Sequence, residues 1–213
     1  MCGRDWSSDV CSSDLEKISY LTKFCADNKL DAYLICECDS VSWLMNLRSD
    51  LIKDTPILRA FALVSASGEV SLFINDFASL EKELENYRGK TVGLAYNRTP
   101  KKVQFLMKEK RIWINNLNNP VIDWKAAKNP VEISGIKKAH LRDAVAVCRF
   151  LHWFDNNWQS LDELGVVAKL HEFRAQGQYF YSDSFATIAG FAANGAIIHY
   201  QPTAETNRTL KAG

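Results

Sequence analysis

Between residues 31 and 114, short apolar runs bounded by turn chemistry alternate with stretches of helical periodicity, and this alternation constrains the fold more than any other feature of the chain. Strand-length runs lie at Asp31–Cys36, Ile57–Ser65, Glu69–Ile74, Thr91–Ala95 and Arg111–Ile114. The second and third are separated only by Ser65-Ala66-Ser67-Gly68, whose length and glycine predict a hairpin. A helix precedes the set, with Ile18, Leu21, Phe24 and Cys25 at helical spacing from Glu16 onward. Ser40–Leu47, a polar helix over Ser79–Tyr87 and an amphipathic one over Pro100–Lys108, with Val103, Phe105 and Leu106 available to pack, fall between the runs. Strands interleaved with helices predict an α/β domain with a central mixed sheet and flanking helices.

The composition of Pro120–Lys128 reads as a boundary, which divides the chain into a domain over 16–127 and a second over 128–213. Asn129, Pro130 and Glu132 then form a capping-box pattern at the start of a long helix ending near Asn157. Ile133, Ile136, His140, Ala144, Val147, Leu151, Phe154 and Trp158 make one stripe along it. Ser160 and Glu163 suggest a second capping box, opening a helix that runs to about Gln176. His140, His152 and His171 read as core or helical-neighbour histidines rather than ligands. Further on, Asn194-Gly195 is a turn dipeptide between the apolar runs Ile188–Ala193 and Ala196–Ile198, predicting a hairpin or tight corner. The second run ends in His199-Tyr200 and is stopped by Gln201-Pro202. His199 is thus expected at the end of a buried strand, facing a loop, where sites are commonly built.

Charge excludes several function classes. With 26 basic against 25 acidic residues there is no basic stripe for nucleic acid and no polybasic membrane anchor. No apolar run approaches membrane-spanning length and the N-terminus lacks an export-signal pattern, so a soluble, cytoplasmic protein is expected. The six cysteines show no paired framework. Cys36 and Cys38 would share one face of a strand but have no companions to complete a metal site, and they are expected to be reduced thiols. Residues 1–15, with Ser-Ser-Asp repeated and no period, read as a disordered, non-native leader: Asp9–Leu15 is what one frame of a sequencing-adapter oligonucleotide would encode.

One resemblance spans 16–213. Phe185, Thr187, Ile188 and Gly190, the run Ala193–Tyr200 and Glu205–Arg208 resemble the opening of the catalytic domain of aminopeptidase P, in the pita-bread metallopeptidase superfamily. Lys128–Ile133, Ala139–Asp143, Cys148–Leu151 and, further back, Ser42–Arg48 extend it. It implies a creatinase-type N-terminal α/β domain followed by the beginning of an α+β pita-bread domain, in an enzyme that removes the N-terminal residue from peptides with proline second. It also implies a homodimer with two divalent metal ions, manganese, held by two aspartates, a histidine and two glutamates. All five would fall beyond Gly213, so no metal ligand is carried onto this sequence and the stretch is expected to be inactive. Asp183 and Glu205 match no ligand position and read as turn or loop residues. One site residue does carry over: His199, in its Ile-Ile-His-Tyr context, matches the family histidine that contacts substrate near the scissile carbonyl. Asn194 and Gly195 are read as turn formers that aim it, Tyr200 as packing, Trp43 as core and Arg48 as a salt-bridge residue. A metal-free pita-bread domain that binds peptides or proteins, and a creatinase-like amidinohydrolase, stay open as alternatives.

Overall fold

The computed structural model describes residues 14–212, so most of the leader lies outside the described residues. The chain divides into two compact units, 1–133 and 134–213. In the first, five strands form one sheet in the order β3-β2-β1-β4-β5: β1 (Ala32–Ile35), β2 (Ala60–Ser65), β3 (Val70–Ile74), β4 (Thr91–Leu94) and β5 (Trp113–Asn116). β1, β2 and β3 pair antiparallel, whereas β4 is parallel to both β1 and β5, which makes the sheet mixed as the alternation predicts.

Period-two alternation sorts the strand residues onto two faces. Ala32, Leu34, Leu63, Phe73, Val92 and Leu94 join Leu80, Leu84, Val103, Leu106 and Met107, from α3 (Phe77–Glu83), the 3₁₀ turn after it and α4 (Lys101–Glu109). Tyr33, Ile35, Ala60, Ala62 and Val64 instead meet Leu21, Cys25, Val41, Leu44 and Val121, from α1 (Asp14–Asp27), α2 (Cys38–Leu44) and α5 (Pro120–Ala126). Helices therefore cover both faces of the sheet. Each fully buried leucine contributes about 2 kcal/mol by removal from water.

Several elements differ from the sequence reading for local reasons. The helix expected from Glu16 already begins at Asp14. β2 starts at Ala60 rather than Ile57, because the Leu58 amide is taken by the Ser42 hydroxyl at 2.8 Å and cannot join the ladder. The hairpin forms as expected, with Gly68 at φ 88° and its amide on the Ser65 carbonyl. In α4, Phe105 is 64% exposed while Met107 is fully buried: at 100° per residue Met107, not Phe105, falls below Val103. The stretch read as a boundary is helix α5, with Asn119 capping the Val121 amide at 3.0 Å and Pro120 in the first turn. Cys36 and Cys38 do not share a strand face, since Cys36 lies just past β1 and Cys38 opens α2. Arg48 donates to the carbonyls of Ser42 and Leu47, which fastens the loop after α2.

Helix α6 (Pro130–Asn157) has the reciprocal cap its sequence predicts. The Glu132 amide donates to Asn129 Oδ1 and the Asn129 amide to Glu132 Oε2, both at 2.8 Å. In the second unit Phe150 is buried against Trp153, Phe154 and Phe173, the last from α7 (Glu163–Ala175). The expected stripe is only partly covered. Val147, Phe154 and Trp158 are half-buried, Ile133, Ile136, His140, Ala144 and Leu151 are exposed, and the buried residues of the helix, Ala146 and Phe150, lie off the stripe. A helix of 13 residues is about 20 Å long and cannot cover one of 28 residues, about 42 Å.

Candidate functional site

The segment that follows α7 is organised by the residues that open that helix. Asp162, not Ser160, is its N-cap: Asp162 Oδ1 accepts from the Gly165 amide at 2.7 Å. Glu163 is therefore not the reaching partner of a capping box but the first helical residue, and its side chain turns inward, 1% exposed. Its carboxylate collects donors from the whole following segment. Oε1 accepts from the Phe191 amide at 2.6 Å and from Asn194 Nδ2 at 3.0 Å. Oε2 accepts from Asn194 Nδ2 at 3.0 Å, the Tyr200 hydroxyl at 2.6 Å and the Arg208 amide at 3.1 Å. Burial by itself would push the Glu163 carboxyl up, but the donors of Phe191, Tyr200, Asn194 and Arg208 outweigh it and hold it below the usual glutamate value. The Tyr200 phenol is raised in turn, by burial and by donating to that anion.

Asn194 is a buried donor rather than an exposed turn residue. Besides Glu163, its Nδ2 reaches the Tyr200 oxygen at 2.8 Å and the Thr206 carbonyl at 2.9 Å. Glycine suits position 190, because a Cβ there would sit 3.1 Å from the Asn194 backbone, tighter than an ordinary contact. Asn207 completes the frame, donating from Nδ2 to Asp162 Oδ2 at 2.7 Å and accepting the Leu164 amide at 3.1 Å.

No strand carries His199. Residues Ala192–Ala196 form a 3₁₀ turn, and His199 lies in irregular chain with φ 56°, its side chain exposed between exposed Ile198 and buried Tyr200. A strand needs a neighbour to pair with, and among the described residues only the bridge between Asp162 and Thr209 touches this segment. The left-handed backbone at a non-glycine residue costs on the order of 1 kcal/mol or more, and it persists only where surrounding contacts over-determine it. Here the chain turns locally, with the Tyr200 amide donating to the Ile197 carbonyl at 3.2 Å around His199, and the Tyr200 hydroxyl is bonded in turn to Glu163. The imidazole is thus presented to solvent from a turn whose following residue, Tyr200, is anchored, an arrangement suited to donating a hydrogen bond to something that arrives from outside.

The other candidates fall elsewhere. His171 Nδ1 lies 2.6 Å from Asp183 Oδ2, and Arg174 pairs with Asp143 at 2.8 Å and with Asp183 at 3.8 Å. Asp183 therefore ties the chain after α7 back to that helix rather than serving an exposed turn. Glu205 is an exposed loop residue, held below the usual glutamate value by the Thr203 hydroxyl at 2.7 Å. Glu163 is the residue whose importance the sequence hides: an acidic residue in the first turn of a helix ordinarily faces solvent, and only burial distinguishes this one.

Comparison with known proteins agrees with this division of the chain. Residues 10–132 match the creatinase/prolidase N-terminal domain and residues 134–213 match metallopeptidase family M24. Xaa-Pro aminopeptidase 1 of Dictyostelium discoideum is 31% identical over 225 residues, covering 93% of this chain and 35% of that protein. A probable Xaa-Pro aminopeptidase P of Arthroderma gypseum is 30% identical over 222 residues, again 35% of its length. The chain thus spans about a third of the curated relatives it matches. Among solved structures, X-prolyl aminopeptidase from Caenorhabditis elegans, described as a cytosolic enzyme with a di-nuclear active site, superposes with TM-score 0.82 at 22% identity over 93% of this chain and 37% of its own. The prolidase from Pyrococcus horikoshii follows the fold more loosely, with TM-score 0.54, 18% identity, and 75% and 48% coverage. With its creatinase/prolidase N-terminal domain joined to pita-bread sequence of metallopeptidase family M24, the chain belongs to the aminopeptidase P family.

Proposed function

We propose that this chain is part of an Xaa-Pro aminopeptidase, which hydrolyses the bond between an N-terminal residue and a proline in second position, and that His199 contacts the substrate there. The observation that carries the second point is the exposure of His199 on a turn whose next residue, Tyr200, is bonded to buried Glu163. An imidazole N–H placed near the scissile carbonyl stabilises the negative charge that develops on its oxygen, a transition-state role distinct from that of base or nucleophile. The rest of the reading rests on likeness to the relatives. The whole protein acts on short peptides, as a homodimer in the cytoplasm, the compartment named for the Caenorhabditis enzyme.

Two divalent ions, manganese in this reading, would supply an activated water and absorb charge on the carbonyl oxygen. The described residues do not fit them: no grouping of three or more His, Cys, Asp or Glu among these residues could hold a metal ion. No ligand is assigned to this stretch, and in this reading the ions are held elsewhere in the whole protein.

The test is His199→Ala in the whole protein, with turnover of a proline-second peptide measured beside bound metal. Turnover should fall by roughly ten- to a thousandfold, as for loss of one transition-state donor, with metal content unchanged. Unchanged turnover would assign His199 a purely structural place, and loss of metal would make it a ligand or a support for one.

A further inference from the structure

The second unit buries the Glu163 carboxylate with no cationic side chain bonded to it among the described residues, and that group lies directly under the segment on which the proposed substrate contact sits. We propose that Glu163 is a positioning residue for His199, its carboxylate fixing the backbone on both sides of the imidazole. The inference rests on the proposed role of His199, although the geometry behind it does not involve substrate.

Three features converge on it. First, the donors to the carboxylate come from both sides of His199: Phe191 and Asn194 precede it in the chain, and Tyr200 and Arg208 follow it. A neutral or shorter side chain could not accept all of them. Second, Tyr200 is adjacent to His199, and its 2.6 Å bond to Glu163 draws the phenol inward to 5% exposure. The Tyr200 amide also closes a turn onto the Ile197 carbonyl at 3.2 Å, so that holding Tyr200 down holds this turn, in which Ile198 is 86% exposed and His199 takes φ 56° with its side chain exposed. Third, the anchor is itself fixed, because Glu163 opens α7 and its own amide donates to the Arg208 carbonyl at 3.1 Å. Carboxylate, phenol and imidazole thus form a relay of position in which no proton need move. Ionisation matters to it, since a carboxylate presents acceptors on both oxygens whereas an amide turns an N–H₂ toward donors.

The experiment uses the 213-residue chain, with His199 of its four histidines as reporter and the other three as internal controls. Glu163→Gln keeps the side-chain shape and removes the charge. Histidine ring resonances and backbone amide exchange are recorded by NMR for both proteins at neutral pH. The His199 ring resonance should shift or broaden and the Phe191 and Arg208 amides should exchange at least tenfold faster, with His140, His152 and His171 unmoved. An unmoved His199 with both amides still protected overturns the proposal. If all four histidines move together toward random-coil positions, Tyr200→Phe decides, because it keeps the ring and removes only the hydroxyl that links Glu163 to the residue after His199. Displacement of His199 alone in that variant supports the relay, and no displacement refutes it. Because neither measurement involves substrate, a His199→Ala variant of full activity would sink the substrate-contact reading while leaving this result standing.

Discussion

Replacing Asn194 by Asp exchanges one nitrogen for oxygen at constant shape and should invert how the second unit responds to pH. The amide nitrogen of Asn194 is 3.0 Å from both oxygens of Glu163. Two carboxylates at about that distance repel by roughly 5.5 kcal/mol at an effective dielectric of 20. Holding one proton on the pair at pH 7 costs about 4.2 kcal/mol if it rests on the new aspartate, whose ordinary value is near 3.9. The second figure is the smaller, so Asn194→Asp takes up a proton on folding. In the native chain the folded Glu163 carboxyl is depressed, so its contribution is complete above the ordinary glutamate range and is lost only as pH falls through the folded value. In the variant the folded value of the pair is raised instead. Its contribution grows as pH falls, by up to about 2.7 kcal/mol or a hundredfold between pH 7 and 5, a window where the native protein stays flat. The assay is protection of the Phe191 amide, which donates to Glu163, corrected for intrinsic exchange at each pH. Asn194→Ala separates the effects, because it removes the donor without adding charge and should cost about 1.5 to 3 kcal/mol at both pH values. Protection in Asn194→Asp that is flat or falls from pH 7 to 5 would mean that the two carboxyls do not share this site.

Three further outcomes are expected. Gly93→Ala should destabilise the first unit by about 1 to 3 kcal/mol, because the new Cβ would meet Tyr33 Cδ2 and Leu30 Cδ1 at 2.6 Å; calorimetry showing an unchanged midpoint would refute this. Burial pushes the Cys25 thiol up to about 11, and the Cys36 thiol up to about 12 despite an opposing hydrogen bond to Thr99. Site-resolved alkylation at pH 8 should therefore label exposed Cys148 well before either, with Cys25 and Cys36 reacting only on unfolding. After desalting, the 213-residue chain should retain no stoichiometric manganese by elemental analysis, whereas two ions held per chain would reveal a ligand set that the contacts among the described residues do not show.

Where the cause of a structure lies within a few residues, the sequence by itself determined it. The sheet follows from short apolar runs interleaved with helices, and its two faces from runs such as Ala32–Ile35, whose successive side chains must enter opposite cores. The Asn129–Glu132 cap and the Gly68 turn are likewise local, a donor meeting an acceptor three residues away or a backbone angle that glycine tolerates. The family was legible for the same reason, since ordered motifs such as Ala193–Tyr200 are strings of adjacent residues. Tertiary structure alone decided the site. Glu163 receives donors 28 to 45 residues away, and nothing in its neighbours says that its carboxylate is buried rather than solvated at a helix start. The same holds for Asn194, which the sequence presents as a turn former and the fold uses as a buried donor. The strand expected before His199 is the converse case. Apolar runs and a turn dipeptide supply the tendency, but a strand forms only against a partner whose position is a property of the whole fold, and here the chain instead turns between Ile197 and Tyr200, with the Tyr200 hydroxyl on Glu163.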